Sequence, residues 1–239
     1  VHASLSRFGY MRGGAEAFVR GLRKALGPRG TLAMPTHSNS VLGAPPYDRK
    51  HSPSNTGAVT EYFRRRSGAL RSVYPTHSVA AEGPMAETLL AGVRPDQAPL
   101  AREGFWGALY DAGGDVLLMC PVRSATLLHA GETWIDLPQA PLIAHALNSR
   151  GRRRVYVLPN GPWHVNHFEP TMVEPLLRRG IMRRAEFGES TILRGPAKAM
   201  ADISVEVNRR NPRVSLGRGG TCDCHYCRHL KEGLRSARR

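Results

Sequence analysis

An α/β fold is predicted by three features of the chain. Short apolar runs bounded by turn residues, such as "GTLAMPT" (30–36) and "DVLLMC" (115–120), read as buried strands. Segments with apolar residues at helical spacing, such as "AEAFVRGLRKAL" (15–26), lie between them. Gly and Pro punctuate the joins, as at Gly27 and Pro28. Alternation of this kind places the chain in the α/β class.

The elements follow in order. "VHASLSRFGYMRGG" reads as a strand end, a Ser/Gly loop and a turn at Gly13 and Gly14. The start "VH" looks like the tail of a strand, so residues before Val1 are expected to be missing. After the first helix and strand comes a long polar loop, residues 37–56, with three prolines. Loops of that length are lids, binding loops or disordered segments. "GAVTEYFRRRSGAL" (57–70), "PMAETLLAG" (84–92) and "REGFWGALYDAGG" (102–114) read as helices, and "VYPTHSVAAEG" (73–83) mixes strand and turn signals. "RRRVYVLP" (152–159) is a strand and "PWHVNHFEPT" (162–171) is irregular and histidine-rich. "VEPLLRRGIMRRAEFG" (173–188) reads as helical, "ESTILRG" (189–195) as a strand and "PAKAMADISVEVNRRNP" (196–212) as a helix. Composition shifts near Asn211 and Pro212. The expected division is a body over residues 1–210 and a basic, Cys-rich tail over 211–239.

Composition bounds the function. At 41% hydrophobic residues the chain has enough apolar material for a sizeable core. No run approaches the ~18 apolar residues of a membrane span. The start lacks the basic-then-apolar pattern of a secretory leader. Lys and Arg number 34 against 19 Asp and Glu, giving a net charge of +15 carried almost entirely by Arg. Arg-rich coding composition or an anionic ligand such as a nucleotide cofactor accounts for this. Nucleic acid is the weaker reading, because the aromatics are sparse and not interleaved with the cations. Three of the four cysteines lie within six residues, which is no disulfide framework, so a reducing, cytoplasmic setting is expected.

Four constellations carry chemistry. In "HASLSRFGYMRGGAE", small residues before a helix suit a loop that cradles phosphates, although Gly-rich turns before helices are common. In "GALRSVYPTHSVAAEG", Arg71 is able to pair with a phosphate or carboxylate, and a turn bonded by its own Ser side chains is the competing reading. In "SATLLHAGE" (124–132), Thr126, His129 and Glu132 recur at three-residue intervals just past a buried strand. A helix beginning near Ser124 puts all three on one face at the strand edge where ligands collect in open α/β sheets. A lone helical histidine is more often structural, but here a carboxylate one turn away orients the imidazole for general-base work. In "CDCHYCRH", Cys222, Cys224 and Cys227, with His225 or His229, have ligand chemistry suited to zinc, as a half-site or as no site at all. No metal is assigned to the reaction.

Several of these segments together resemble the aminoglycoside 3-N-acetyltransferases. "VHASLSRFGYMRGGAEAFVRGLRKALGPRGTLAMPTHS" is similar to that family's opening, "TGAVTEYFRRRSGALRSVYPTHSVAAEG" to its central block, "GGDVLLMCPVRSATLLHAGE" to its histidine motif and "RGPAKAM" to a later one. The resemblance runs over residues 1–210. It implies a three-layer α/β/α domain around a mixed sheet, acetyl-CoA as co-substrate and a small amine as acceptor, with no membrane partner. It places His129 as catalytic base with Glu132 and Thr126 as companions. It puts Ser4, Leu5, Gly9, Arg71 and Ser72 on the CoA side. Tyr74, Cys120, "GFWGALY" and the Ala130–Gly131 pair depart from the family pattern, which alters the expected acceptor pocket. Glu61, Asp136, Glu169 and Glu174 are the carboxylates available for a cationic acceptor. The competing expectation is a non-catalytic relative, or a basic module that holds polyanions or zinc through its Cys-rich tail.

Overall fold

The computed structural model of the chain describes residues 1–38, 40–41, 43–160, 164–165, 168–187 and 190–236, with the side chains of 160, 218 and 219 left undescribed. Pro162, Trp163, Asn166 and His167 of the histidine-rich stretch therefore lie outside the described residues.

In chain order the elements are β1 (His2–Ala3), α1 (Gly14–Leu26), β2 (Leu32–Pro35), α2 (Ala58–Arg64), β3 (Leu70–Arg71), β4 (Val79–Glu82), α3 (Ala86–Leu90) and α4 (Phe105–Asp111). There follow β5 (Asp115–Met119), α5 (Ala130–Trp134), β6 (Ala140–Leu147), β7 (Arg153–Asn160) and α6 (Glu174–Arg178). The chain then runs through β8 (Arg183–Phe187), β9 (Ser190–Pro196), α7 (Ala197–Arg210) and α8 (His225–Ser236). The α/β class is borne out. A mixed four-stranded sheet has the order β1-β5-β9-β8, with β1 and β5 parallel and the other pairs antiparallel. Beside it lie an antiparallel β2-β4-β3 sheet and the β6-β7 hairpin.

The side-chain alternation of β5 explains the layering. Val116 and Leu118 enter one apolar cluster with Trp106 of α4 and Met200, Ala201 and Ile203 of α7. Met119 and Leu117 enter the opposite cluster with Phe18 and Val19 of α1 and Val59 and Phe63 of α2. Successive strand residues point to opposite faces, so an unbroken apolar run such as "VLLM" belongs to a strand covered by helices on both sides. Helix α1 is flanked by Gly13, whose φ of 82° suits glycine, and by Gly27, whose N–H bonds to Arg23 O at 3.0 Å.

One expectation is corrected, and two further segments are seen to pack. Residues 183–187, read as helix, form β8, because α6 stops at Arg178 and Gly180 turns the chain with φ 66°. The long loop is anchored rather than loose. Tyr47 is buried, its hydroxyl donates to Ser72 O at 2.7 Å, and Val41 and Tyr47 bridge to Ala144 and Ala146 of β6. Residues after Asn211 also pack onto the body: Leu216, Cys227 and Leu230 form a buried cluster with Leu137.

Candidate active site

β1 and β5 are parallel, so the chain leaves both at the same edge of the sheet. A cleft of about 890 Å³ opens there. Its walls come from Ser4–Arg7 after β1, His37 after β2, Asn55–Thr60 at the start of α2, His77 before β4, and the Cys120–His129 segment after β5. Ligands in open α/β sheets collect at such carboxyl edges, where strand ends leave a crevice and helix starts present N–H groups.

His129 sits on this wall. The turn carrying it is a 3₁₀ helix, Thr126–His129, followed directly by α5, so the expected helix from Ser124 is a tighter coil in its first part. Three residues per turn eclipse positions i and i+3, which aligns Thr126 with His129 more closely than an α-helix would. Both line the cleft. Glu132 lies behind them, 1% exposed, and accepts a hydrogen bond from His129 Nδ1 at 3.1 Å. That bond assigns the proton to Nδ1 and gives Nε2 the basic lone pair. The His129 ring meets Phe168 edge to face at 4.7 Å.

The carboxylate is itself held. Ser215 Oγ lies 2.8 Å from Glu132 Oε1 and 2.9 Å from Asn208 Oδ1, and its single proton favours the charged acceptor. Ser204 of α7 accepts from Gly131 N at 2.9 Å and donates to Leu128 O at 2.7 Å, bracketing the turn. A Cβ on Gly131 would stand 2.3 Å from Ser204 O, which explains the glycine there. Ser204, Asn208 and Ser215 are fully buried, and sequence reasoning missed all three.

The opposite wall carries further imidazoles. His37 and His77 rings are 4.7 Å apart. Burial, and then the neighbouring His129, push His77 down to about 4. His37 is held well below its ordinary range by burial, then by His77, His2 and Arg71. Burial lowers His2 to about 3. These rings are neutral near pH 7. Cys120 also lines the cleft, and burial raises its thiol to about 11.

Ser4 and Leu5 line the cleft, whereas Gly9, Arg71 and Ser72 do not. Gly9 closes the 3₁₀ turn Leu5–Phe8 with φ 69°. Arg71 is 6% exposed and its guanidinium is taken up by the protein, donating to Thr36 O and Ser52 O while stacking on Tyr47. Ser72 Oγ accepts from Val79 N at 3.0 Å. Sequence supplies the cation but not the carbonyls that satisfy it. None of the four candidate carboxylates lines the cleft. Glu61 is bonded to Arg64 and Ser54, Glu174 pairs with Arg184, Glu169 is exposed, and Asp136 turns the chain after α5 with φ 53°. Tyr74 is buried and donates to Gln97 O at 3.0 Å, away from the cleft.

Fold and site together describe an α/β protein with a carboxylate-anchored imidazole at the edge of a parallel strand pair. The family model described as aminoglycoside 3-N-acetyltransferase matches residues 1–208, and the chain belongs to that family. Aminoglycoside N(3)-acetyltransferase VII of Streptomyces paromomycinus is 35% identical over 160 residues, covering 57% of this chain and 54% of that protein. Aminoglycoside N(3)-acetyltransferase III from Salmonella sp is 31% identical over 176 residues, covering 64% and 59%. The chain thus matches under two thirds of the length of these curated relatives. A solved structure described as AAC-IIIb in a binary complex with CoASH is similar at TM-score 0.77 and 25% identity, covering 87% of this chain and 88% of that one. The apoenzyme of aminoglycoside acetyltransferase AAC(3)-IVa, 23% identical, shares the fold at TM-score 0.80 over 97% and 89% of the two chains. Among the described residues no helix is long and apolar enough to cross a membrane.

Proposed function

We propose that this protein transfers the acetyl group of acetyl-CoA to an amine of an aminoglycoside or related amino compound, with His129 as general base. The observation that carries this reading is the His129–Glu132 pair, 3.1 Å apart, with its imidazole on the wall of the large cleft.

An alkylammonium has no lone pair with which to attack a thioester, so a base of near-neutral pKa must take its proton. Nε2 of His129 accepts that proton, and buried Glu132 stabilises the imidazolium so formed. In this reading backbone N–H groups and the Thr126 hydroxyl, which lines the cleft, receive the negative charge developing on the acyl oxygen. The cleft suits the co-substrate. Arg7 and Arg123 offer guanidiniums to phosphates, Ser4, Ser6 and Ser124 offer hydroxyls, and no Asp or Glu is among its described lining residues. Acetyl-CoA supplies the activated acyl group; the chain's own residues bind, align and move the proton.

The same lining bears on the acceptor. A polycationic aminoglycoside is bound through carboxylates, and among the described residues none lines the cleft, Glu132 lying buried behind it. Amines of lower charge are therefore the better acceptors. A thiol-release assay with acetyl-CoA against a panel from polycationic aminoglycosides to monoamines tests both statements. Release with at least one amine, weaker at high charge, is expected. No release with any amine, together with binding of polyanions that weakens steeply with salt, would overturn the enzymatic reading.

A further inference from the structure

We infer that His164, Cys222, Cys224 and Cys227 form a structural zinc site outside the catalytic cleft. Their ligating atoms lie within 4.8 Å of one another. The expected fourth ligands, His225 and His229, are replaced by a histidine 58 residues upstream of Cys222. His164 Nε2 is 3.7 Å from Cys222 Sγ and 3.6 Å from Cys224 Sγ. A tetrahedral zinc with bonds of ~2.3 Å to sulfur and ~2.0–2.1 Å to nitrogen has S···N edges of roughly 3.5–3.6 Å. The spacing therefore matches the edges of such a coordination sphere.

The surroundings are those of a built site. Gly217 N donates to Cys227 Sγ and Cys227 N donates to Cys224 Sγ, both at 3.5 Å, and N–H groups aimed at sulfur stabilise thiolates. A Cβ on Gly217 would stand 2.7 Å from the His164 ring, so glycine is what lets the imidazole reach the cysteines. None of the four cysteines is in a disulfide, and three of them meet here. Binding is a balanced exchange: Zn²⁺ enters, three thiol protons leave, and neutral His164 gives a lone pair. Four protein ligands fill a tetrahedron, so the ion is closed to substrate and acts as a staple. What it joins is specific. His164 adjoins Val165 on the cleft wall and precedes Phe168 against His129. The cysteine segment follows Ser215, which holds Glu132.

The test uses the full chain and the metal alone, and its readouts do not depend on acetyl transfer. Elemental analysis after purification without chelator is expected to give about one zinc per chain. Cys222→Ser/Cys224→Ser and His164→Ala lose most of it, and His229→Ala keeps it. Chelator-stripped wild type given Co²⁺ shows the visible absorption of tetrahedral, thiolate-bound cobalt, which Zn²⁺ then removes. Should the cysteine variants fail to fold, the cobalt spectrum of the wild type decides. A wild type that takes up neither ion, or a folded double variant that holds as much zinc, overturns the site.

Discussion

The two walls of the cleft carry the same side chain in opposite conditions. On the wall after β5, His129 is buried against the side chain of Glu132, which is held by Ser215. On the wall between β2 and β4, His37 and His77 are buried against each other, and both are pushed to low pKa. Burial disfavours imidazolium, and on the wall between β2 and β4 the neighbouring imidazoles and Arg71 disfavour it further. Proximity to the cleft is common to all three rings; the group behind each ring is what differs. His37 and His77 are better suited to shaping and drying the cleft as neutral rings.

The largest effect separating the walls is expected from His129→Ala. Its turnover should fall ~10²- to 10⁴-fold in steady-state kinetics, with CoA affinity nearly intact. Unchanged turnover would remove His129 from the base role. Next comes Glu132→Gln, which keeps the shape but removes the charge. A loss in turnover on the order of 10- to 100-fold is expected, with the Michaelis constant for acetyl-CoA little changed. If that constant rose while turnover held, Glu132 would be a binding group instead. Ser215→Ala should act through Glu132, lowering turnover several-fold and stability by about 1 kcal/mol in urea unfolding. Equal losses in turnover and CoA affinity would make Ser215 merely structural.

On the opposite wall the expected effect is on stability and leaves turnover near neutral pH least changed. His2, His37 and His77 have folded pKa values below the unfolded value of 6.5, with His77 near 4 and His2 near 3. Below pH 6.5 the unfolded chain therefore binds more protons than the native one. Stability is complete above that pH and is lost as pH falls towards the folded values, by up to about 1.4 kcal/mol per pH unit for each proton. Urea unfolding at pH 7 and pH 5 checks this. His77→Asn should flatten the decline, and an unaltered slope would place its titration elsewhere.

The sequence made one half of this comparison readable. Thr126, His129 and Glu132 repeat every three residues after an apolar strand, so local periodicity alone puts them on one face. The apolar runs likewise announced β2 and β5, because strands buried on both faces show no alternation. Ser215 was hidden because it lies 83 residues from Glu132 in a stretch whose composition resembles a tail. Arg71 misled for a related reason. A cation beside hydroxyls looks like a phosphate ligand until Thr36 and Ser52 are seen to offer it their carbonyls. His164 was likewise out of reach, since no local spacing joins it to the cysteines.

The 3₁₀ turn at Thr126–His129 has a consequence for how such chains diverge. With three residues to the turn, deleting or adding one between the hydroxyl and the imidazole would swing them a third of a circle apart. Leu127 and Leu128 are free to exchange for other apolar residues of similar volume. Their number is not, so insertions and deletions that lineages accept in surface loops should be purged from this short stretch.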